Sequence, residues 1–255
     1  MTKIASHRGG THLWPENSRL AFRQTAALPV ELVEFDVHHT ADKVLVVHHD
    51  ATIDRMTDGK GEIGRLTYEQ LSKFVIVGAA GETIPTLDEV IDIFALSLVD
   101  LRLEIKTRPD GTAYEGMEEA IVERLVASGM LSRCMVTSFS LERLDAFRKA
   151  LEAAGHNVSE LLGFVWLCSP AVIRQVGWVG IDAALAAYGV FEIGIRAEMI
   201  SALAIAPLSD RGVIIHGWAA HDIEMATRMF DLGIASFTTD RPDIAIATRA
   251  ELEMR

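Results

Sequence analysis

His7-Arg8-Gly9 lies at the first apolar run of the chain, Glu34-Phe35-Asp36 falls within the second, and His49-Asp50 closes a later one. Two histidines can serve as general base and general acid near neutral pH. An arginine can hold a phosphate through paired hydrogen bonds, and two carboxylates two residues apart can bind a hard cation. Together these residue types point to metal-assisted cleavage of a phosphate ester.

Residues so far apart in sequence meet only if strand ends bring them together. Apolar runs predict strands at 4–6, 32–38, 101–106, 135–139, 162–167, 193–195, 213–218 and 236–239, with an extra strand at 44–48 after the second. Helical patterns at 18–27, 114–128, 141–154, 170–176, 197–208, 223–232 and 242–253 alternate with them. Eight strands mostly separated by helices predict an α/β fold, a closed TIM-type (β/α)8 barrel in preference to an open doubly wound sheet. Residues 51–97 do not fit the repeat and contain the turns Asp58-Gly59-Lys60-Gly61 and Gly78-Ala79-Ala80-Gly81. They are expected to form a small insertion after the second strand, on the side of the site, within one domain spanning 1–255.

Alternation within two strands is the strongest signal. In Leu32-Val33-Glu34-Phe35-Asp36-Val37-His38 the polar groups share one face and the apolar groups the other, and the charges of Leu101-Arg102-Leu103-Glu104-Ile105-Lys106 again share a face. Parallel barrel strands are usually apolar on both faces, so charges pointing inward are costly unless they bind something or one another. The pattern marks the barrel mouth. A half-solvated antiparallel strand gives the same alternation, but not twice beside two histidine motifs.

Composition sets the outer bounds. With 255 residues and 49% hydrophobic content the chain can bury a large core. No signal core opens it, and no charge-free stretch reaches the roughly 20 residues of a membrane helix, so a soluble, cytoplasmic protein without membrane insertion is expected. Cys134 and Cys168 each fall in an apolar run, which fits buried reduced thiols. A net charge of -12 argues against nucleic acid or anionic lipid as a partner, so any phosphate must be held by a few local cations. The oligomeric state is not legible.

The chain resembles the glycerophosphodiester phosphodiesterases. The likeness is carried by His7-Arg8-Gly9, Pro15-Glu16-Asn17-Ser18, Ala21-Phe22, Glu34-Phe35-Asp36-Val37, Val46-Val47-His48-His49-Asp50, Asp54-Arg55-Met56-Thr57, Ile84-Pro85-Thr86-Leu87, Glu104-Ile105-Lys106, Ser138-Phe139, Trp218 and Thr239-Asp240-Arg241-Pro242, in that order. The resemblance implies a barrel of the triosephosphate-isomerase type with an insertion after the second strand. It implies that Glu34, Asp36 and Glu104 bind one divalent cation, Mg²⁺ or Ca²⁺, and that His7 and His49 are the acid/base pair. It makes a glycerophosphodiester, cleaved to sn-glycerol 3-phosphate and an alcohol, the default small-molecule substrate.

That chemistry needs those residue types. A phosphodiester is anionic, so a divalent ion and cations must offset charge on its non-bridging oxygens, with Arg8 and Lys106 as the candidate cations. Three carboxylates supply hard oxygen ligands, which suits Mg²⁺ or Ca²⁺ and not a structural zinc. Residue types alone do not say which histidine is the acid, or whether water attacks directly or a cyclic phosphate forms first. Alternation turns His48 and His49 to opposite faces, and the resemblance selects His49.

Other residues have plainer readings. His12, His39 and His156 read as packed or surface histidines, Asn17 and Asp240 as helix caps, and Trp218 as filler of the barrel mouth; Glu16, Asp50 and His38 can orient neighbours. Where the family often follows its Trp with Thr-Val-Asn, this chain has Trp218-Ala219-Ala220-His221. Trp218 and His221 are therefore expected to select the alcohol, with a sugar or opine phosphodiester as the alternative substrate. A relative of the phosphatidylinositol phospholipases or spider-venom sphingomyelinases is a second enzyme reading, but no exposed apolar helix is evident. A barrel that binds phosphodiesters without cleaving them would have lost a histidine or a carboxylate, and none is lost.

Overall fold

A parallel strand needs a crossover of a dozen or more residues before its neighbour, and helices supply those crossovers here. In the computed structural model, which describes residues 1–254, the chain runs β1 (Lys3–His7), α1 (Arg19–Ala26), β2 (Leu32–His39), β3 (Leu45–Val47), α2 (Tyr68–Leu71), α3 (Leu87–Ala95) and β4 (Asp100–Ile105). It continues α4 (Met117–Ala127), β5 (Cys134–Ser138), α5 (Leu141–Ala153), β6 (Gly163–Cys168), α6 (Pro170–Tyr188), β7 (Glu192–Arg196), α7 (Ala202–Ser209), β8 (Ile214–Trp218), α8 (Ile223–Asp231), β9 (Ser236–Thr239) and α9 (Pro242–Glu253). Eight parallel strands follow one another around a ring, and the pairing of β1 with both β2 and β9 closes it. The expected TIM barrel is formed. β3 adds antiparallel to the end of β2.

The two faces of each strand explain the packing. Val33, Phe35 and Val37 on β2, with Leu101, Leu103 and Ile105 on β4, turn outward into the main core beneath the helices. There Phe22 of α1 meets Phe35 and Phe94 edge-on, each with ring centroids 5.9 Å apart. Ala5, Leu32, Met135, Val165 and Leu167 form an apolar cluster inside the barrel, and polar groups take the rest of the lumen. Helix starts are locally encoded: Ser18 accepts from the Ala21 N–H, and Thr86 with Glu89 forms a capping box on α3.

Some boundaries differ from those expected, for local reasons. The expected insertion at 51–97 includes α3, whose Leu87, Val90, Ile91 and Phe94 form one helical stripe that joins the main core, so α3 is a barrel helix. The inserted part has a small core of its own, Val46, Ile53, Ile63, Leu71, Ile76, Ala79 and Ile84. Helix α4 starts only at 117 because Gly116 takes φ 75°, and α6 continues past 176 across a kink at Gly177, φ 64°. Both cysteines are free and buried, and burial pushes each thiol up to about 12. Among the described residues no helix is long and apolar enough to cross a membrane.

Candidate active site

Strand register alone gathers the charged residues. His7 of β1 lies across from Glu34 of β2, and Asp36 of β2 across from Glu104 of β4. Glu34, Asp36 and Glu104 are all buried, and one oxygen of each lies within 4.8 Å of the others. Arg8, held at φ 49°, points its N–H at Glu34 Oε2 over 3.2 Å, and the turn is permitted by Gly9 at φ 81°, where a Cβ would meet Ala21 Cβ at 2.8 Å. Asn17 Nδ2 donates to Asp36 Oδ2 at 3.0 Å; the helix cap is Ser18, so Asn17 serves the cluster.

The electrostatics show a cluster short of positive charge. Burial raises the Glu34 pKa and the adjacent Asp36 carboxylate raises it further, whereas in Asp36 burial is outweighed by Lys106 and Arg8, which hold it low. Lys106 Nζ donates to Glu104 Oε1 at 2.9 Å and stands 3.2 Å from Asp36 Oδ1 without the alignment of a hydrogen bond. Asp36 Oδ1 is thus buried with no donor. Three buried carboxylates converging with an orphaned oxygen fit a hard divalent cation, and the all-oxygen donor set suits Mg²⁺ or Ca²⁺.

Both expected histidines are held in the same way. His7 Nδ1 lies 2.5 Å from Asp240 Oδ1, with Nε2 turned toward Glu34 Oε2 at 3.7 Å. His49 Nδ1 lies 2.6 Å from Asp50 Oδ1. Burial disfavours charge on both rings; in His7, Glu34 and the hydrogen bond to Asp240 outweigh it and the pKa rises, whereas in His49 burial prevails and the pKa falls. Arg55 braces the second pair, donating to Asp50 Oδ2 at 2.6 Å and to both oxygens of Glu16, while Glu16 also accepts from Arg8. His38 accepts from the Tyr114 hydroxyl at 2.9 Å and donates to the His49 carbonyl at 3.1 Å, so it fixes the backbone of its neighbour. His48 is buried and faces the Thr52 carbonyl.

Two compartments meet at His49, Glu104 and Phe139. One is an open groove of about 610 Å³ along Asp50, Lys106, Thr107 and Ser140; the other is a narrower space of about 240 Å³ lined by His7, Arg8, Glu34, Arg102 and Trp218. Trp218 meets Phe139 edge-to-face at 5.8 Å and donates from Nε1 to the Gly194 carbonyl, so it forms a wall of the narrower space. His221 differs from expectation. It lines neither compartment but accepts from the Asp240 N–H at 3.0 Å, because the chain turns it back toward the end of β9.

Asp240 and Arg55 are the functional residues that residue-type reasoning missed. Asp240 precedes Arg241-Pro242 and reads as a cap, but the cap of α9 is Arg241 and the Asp240 side chain turns to His7. Arg55 lies in the insertion, and the motif Asp54-Arg55-Met56-Thr57 was its only signal.

A sequence model of the glycerophosphoryl diester phosphodiesterase family matches residues 7–244. The chain belongs to this family. It is therefore a phosphoric diester hydrolase by descent, and several relatives match nearly its whole length. A glycerophosphodiester phosphodiesterase of Caldanaerobacter subterraneus subsp. tengcongensis is 29% identical over 252 residues, covering 96% of each chain. The crystal structure of a proposed glycerophosphoryl diester phosphodiesterase from Agrobacterium tumefaciens is 38% identical, covers 100% of both chains and superposes with a TM-score of 0.93. An Oleispira antarctica phosphodiesterase solved with the product sn-glycerol-3-phosphate shares the fold, with a TM-score of 0.80 at 21% identity over 98% of this chain and 97% of that one.

Proposed function

We propose that this member of the glycerophosphodiester phosphodiesterases hydrolyses glycerophosphodiesters to sn-glycerol 3-phosphate and an alcohol, with one divalent cation, Mg²⁺ or Ca²⁺, held by Glu34, Asp36 and Glu104. One observation carries the reading: beside a buried triple carboxylate stand two imidazoles, each anchored through Nδ1 by an acid, Asp240 for His7 and Asp50 for His49. When bound, such a cation offsets charge on the non-bridging oxygens and lowers the pKa of a coordinated oxygen. The anchoring acids fix each ring with its proton on Nδ1 and present Nε2 to the site. One Nε2 takes a proton from the attacking oxygen, and the other imidazole returns one to the leaving oxygen. Arg8 and Lys106 flank the carboxylates and offset phosphoryl charge, although each is shared with an acid, Glu16 for Arg8 and Glu104 for Lys106.

The test is product identification. Glycerophosphocholine, glycerophosphoethanolamine and a sugar-containing diester are incubated with the protein and divalent cation, and glycerol 3-phosphate is quantified. Release of glycerol 3-phosphate with the free head-group alcohol is expected. Release of a phosphorylated head group, or cleavage of the sugar diester alone, would refute the substrate reading.

A further inference from the structure

Arg102 heads the fully buried side chains at 1% exposure, and it places a guanidinium inside the barrel. Register sets it level with Glu34 and two residues before Glu104 on the same face, one layer below the Asp36–Glu104 pair. A hydrogen-bonded chain holds it from the side. Glu192 Oε1 accepts the Phe164 N–H at 3.0 Å, and Glu192 Oε2 accepts from His216 Nε2 at 3.0 Å. His216 Nδ1 accepts from the Ser236 hydroxyl at 2.7 Å, and Ser236 Oγ accepts from Arg102 Nη1 at 3.1 Å. This sequence of donors requires a neutral His216, which leaves Arg102 rigidly oriented.

Arg102 Nη2 is the exception: it is buried and has no partner. A Cβ placed on Gly194 would lie 3.5 Å from Nη2, 3.7 Å from Trp218 Cδ1 and 2.6 Å from Leu167 Cδ2. Arg102 lines the narrower compartment, and its Nη2 lies beside Gly194, close to Leu167 and Trp218 of the same compartment. Burial lowers the Arg102 pKa against the attraction of Glu34, Glu104 and Glu192, and Nη2 still lacks an acceptor oxygen.

We propose that Arg102 is a specificity-determining residue whose Nη2 donates to a hydroxyl oxygen on the polyol half of the diester, seating that short half in the 240 Å³ compartment while the second alcohol lies in the open groove. The assignment rests on the phosphodiesterase reading above. A ligand without the hydroxyl leaves a buried N–H unpaired, which is the strongest basis a site has for rejecting an analogue. Calorimetry on the Mg²⁺-loaded protein with glycerol 3-phosphate and propyl phosphate, which lacks both hydroxyls, tests it. Wild type should prefer glycerol 3-phosphate by about 10- to 100-fold, and Arg102→Met should reduce the preference to within about threefold. Equal affinities in wild type would overturn the assignment without recourse to any variant, as would an undiminished preference in folded Arg102→Met. Hydrolysis of glycerophosphoethanolamine and its propyl analogue separates the two readings. Cleavage of both at equal kcat/KM removes Arg102 from specificity and leaves the phosphodiesterase standing, whereas cleavage of neither removes both.

Discussion

Asp240→Asn keeps the side chain's size and removes its charge, and it isolates what the acid behind His7 does. Asp240 Oδ1 lies 2.5 Å from His7 Nδ1. Hydrogen bonds to charged groups contribute about 1.5–3 kcal/mol, so if this one strengthens as the His7 ring carries charge in the transition state, its loss lowers kcat about 10- to 150-fold. An amide that offers its N–H to Nδ1 moves the ring proton to Nε2 and deepens the loss. The pH profile gives a second readout. Burial depresses the His7 pKa, but Glu34 and Asp240 outweigh it; removing Asp240's share lowers that pKa, so the limb governed by His7 moves to lower pH. Steady-state kinetics across pH at saturating cation, with cation affinity as a control for the rest of the site, measure both. A kcat within about twofold of wild type and an unmoved limb, in a protein that His7→Ala inactivates, would refute the reasoning.

His49→Ala should lower turnover about a hundredfold or more, whereas His48→Ala, at a ring that faces the Thr52 carbonyl, should lower it only a few-fold; equal losses in steady-state kinetics would place the wrong histidine in the site. Arg55→Met frees Asp50 and Glu16 together and should lower kcat by about tenfold with little change in Tm, because the side chain is half exposed; unchanged kcat would remove it as a brace. Burial sets His216 under the ordinary histidine pKa and outweighs the Glu192 hydrogen bond, which raises it, so the unfolded chain takes up its proton first: stability is full above about pH 6.5 and falls on acidification by at most about 1.4 kcal/mol per pH unit. Glu192, also held low by that hydrogen bond against burial, adds a loss only below the ordinary glutamate range. Urea unfolding between pH 5 and 7 should show a flatter slope in His216→Gln, and an unchanged slope would contradict the assignment.

The strands that carry the site were legible because charges on a strand buried on both faces are conspicuous. Glu34, Asp36 and Glu104 stood out by alternation, and register then places them together. His7 and His49 were legible as types; alternate faces let only one of His48 and His49 reach the site, and the family resemblance selected His49. What sequence reasoning lost depends on contacts across large separations. Asp240 is 233 residues from His7, and its proline-flanked position imitates a cap. His221 was read toward the alcohol because it follows Trp218, yet the backbone beyond β8 turns it to Asp240. Arg102 was visible as one of the charges on its strand, but its unpaired Nη2 depends on where Ser236, Gly194 and Trp218 stand across the lumen. Helix α3 was absorbed into the insertion because the irregular chain before it hid the resumption of the barrel repeat.

The claim on which the rest depends is that Glu34, Asp36 and Glu104 hold a divalent cation required for hydrolysis. Chelator-treated protein is titrated calorimetrically with Mg²⁺ and Ca²⁺, and the same samples are assayed for glycerol 3-phosphate release. The account predicts one binding site, activity abolished by chelator and restored by add-back, and weakened binding with loss of activity in Glu104→Gln. Full turnover in chelator, or unaltered cation affinity in Glu104→Gln, would contradict it.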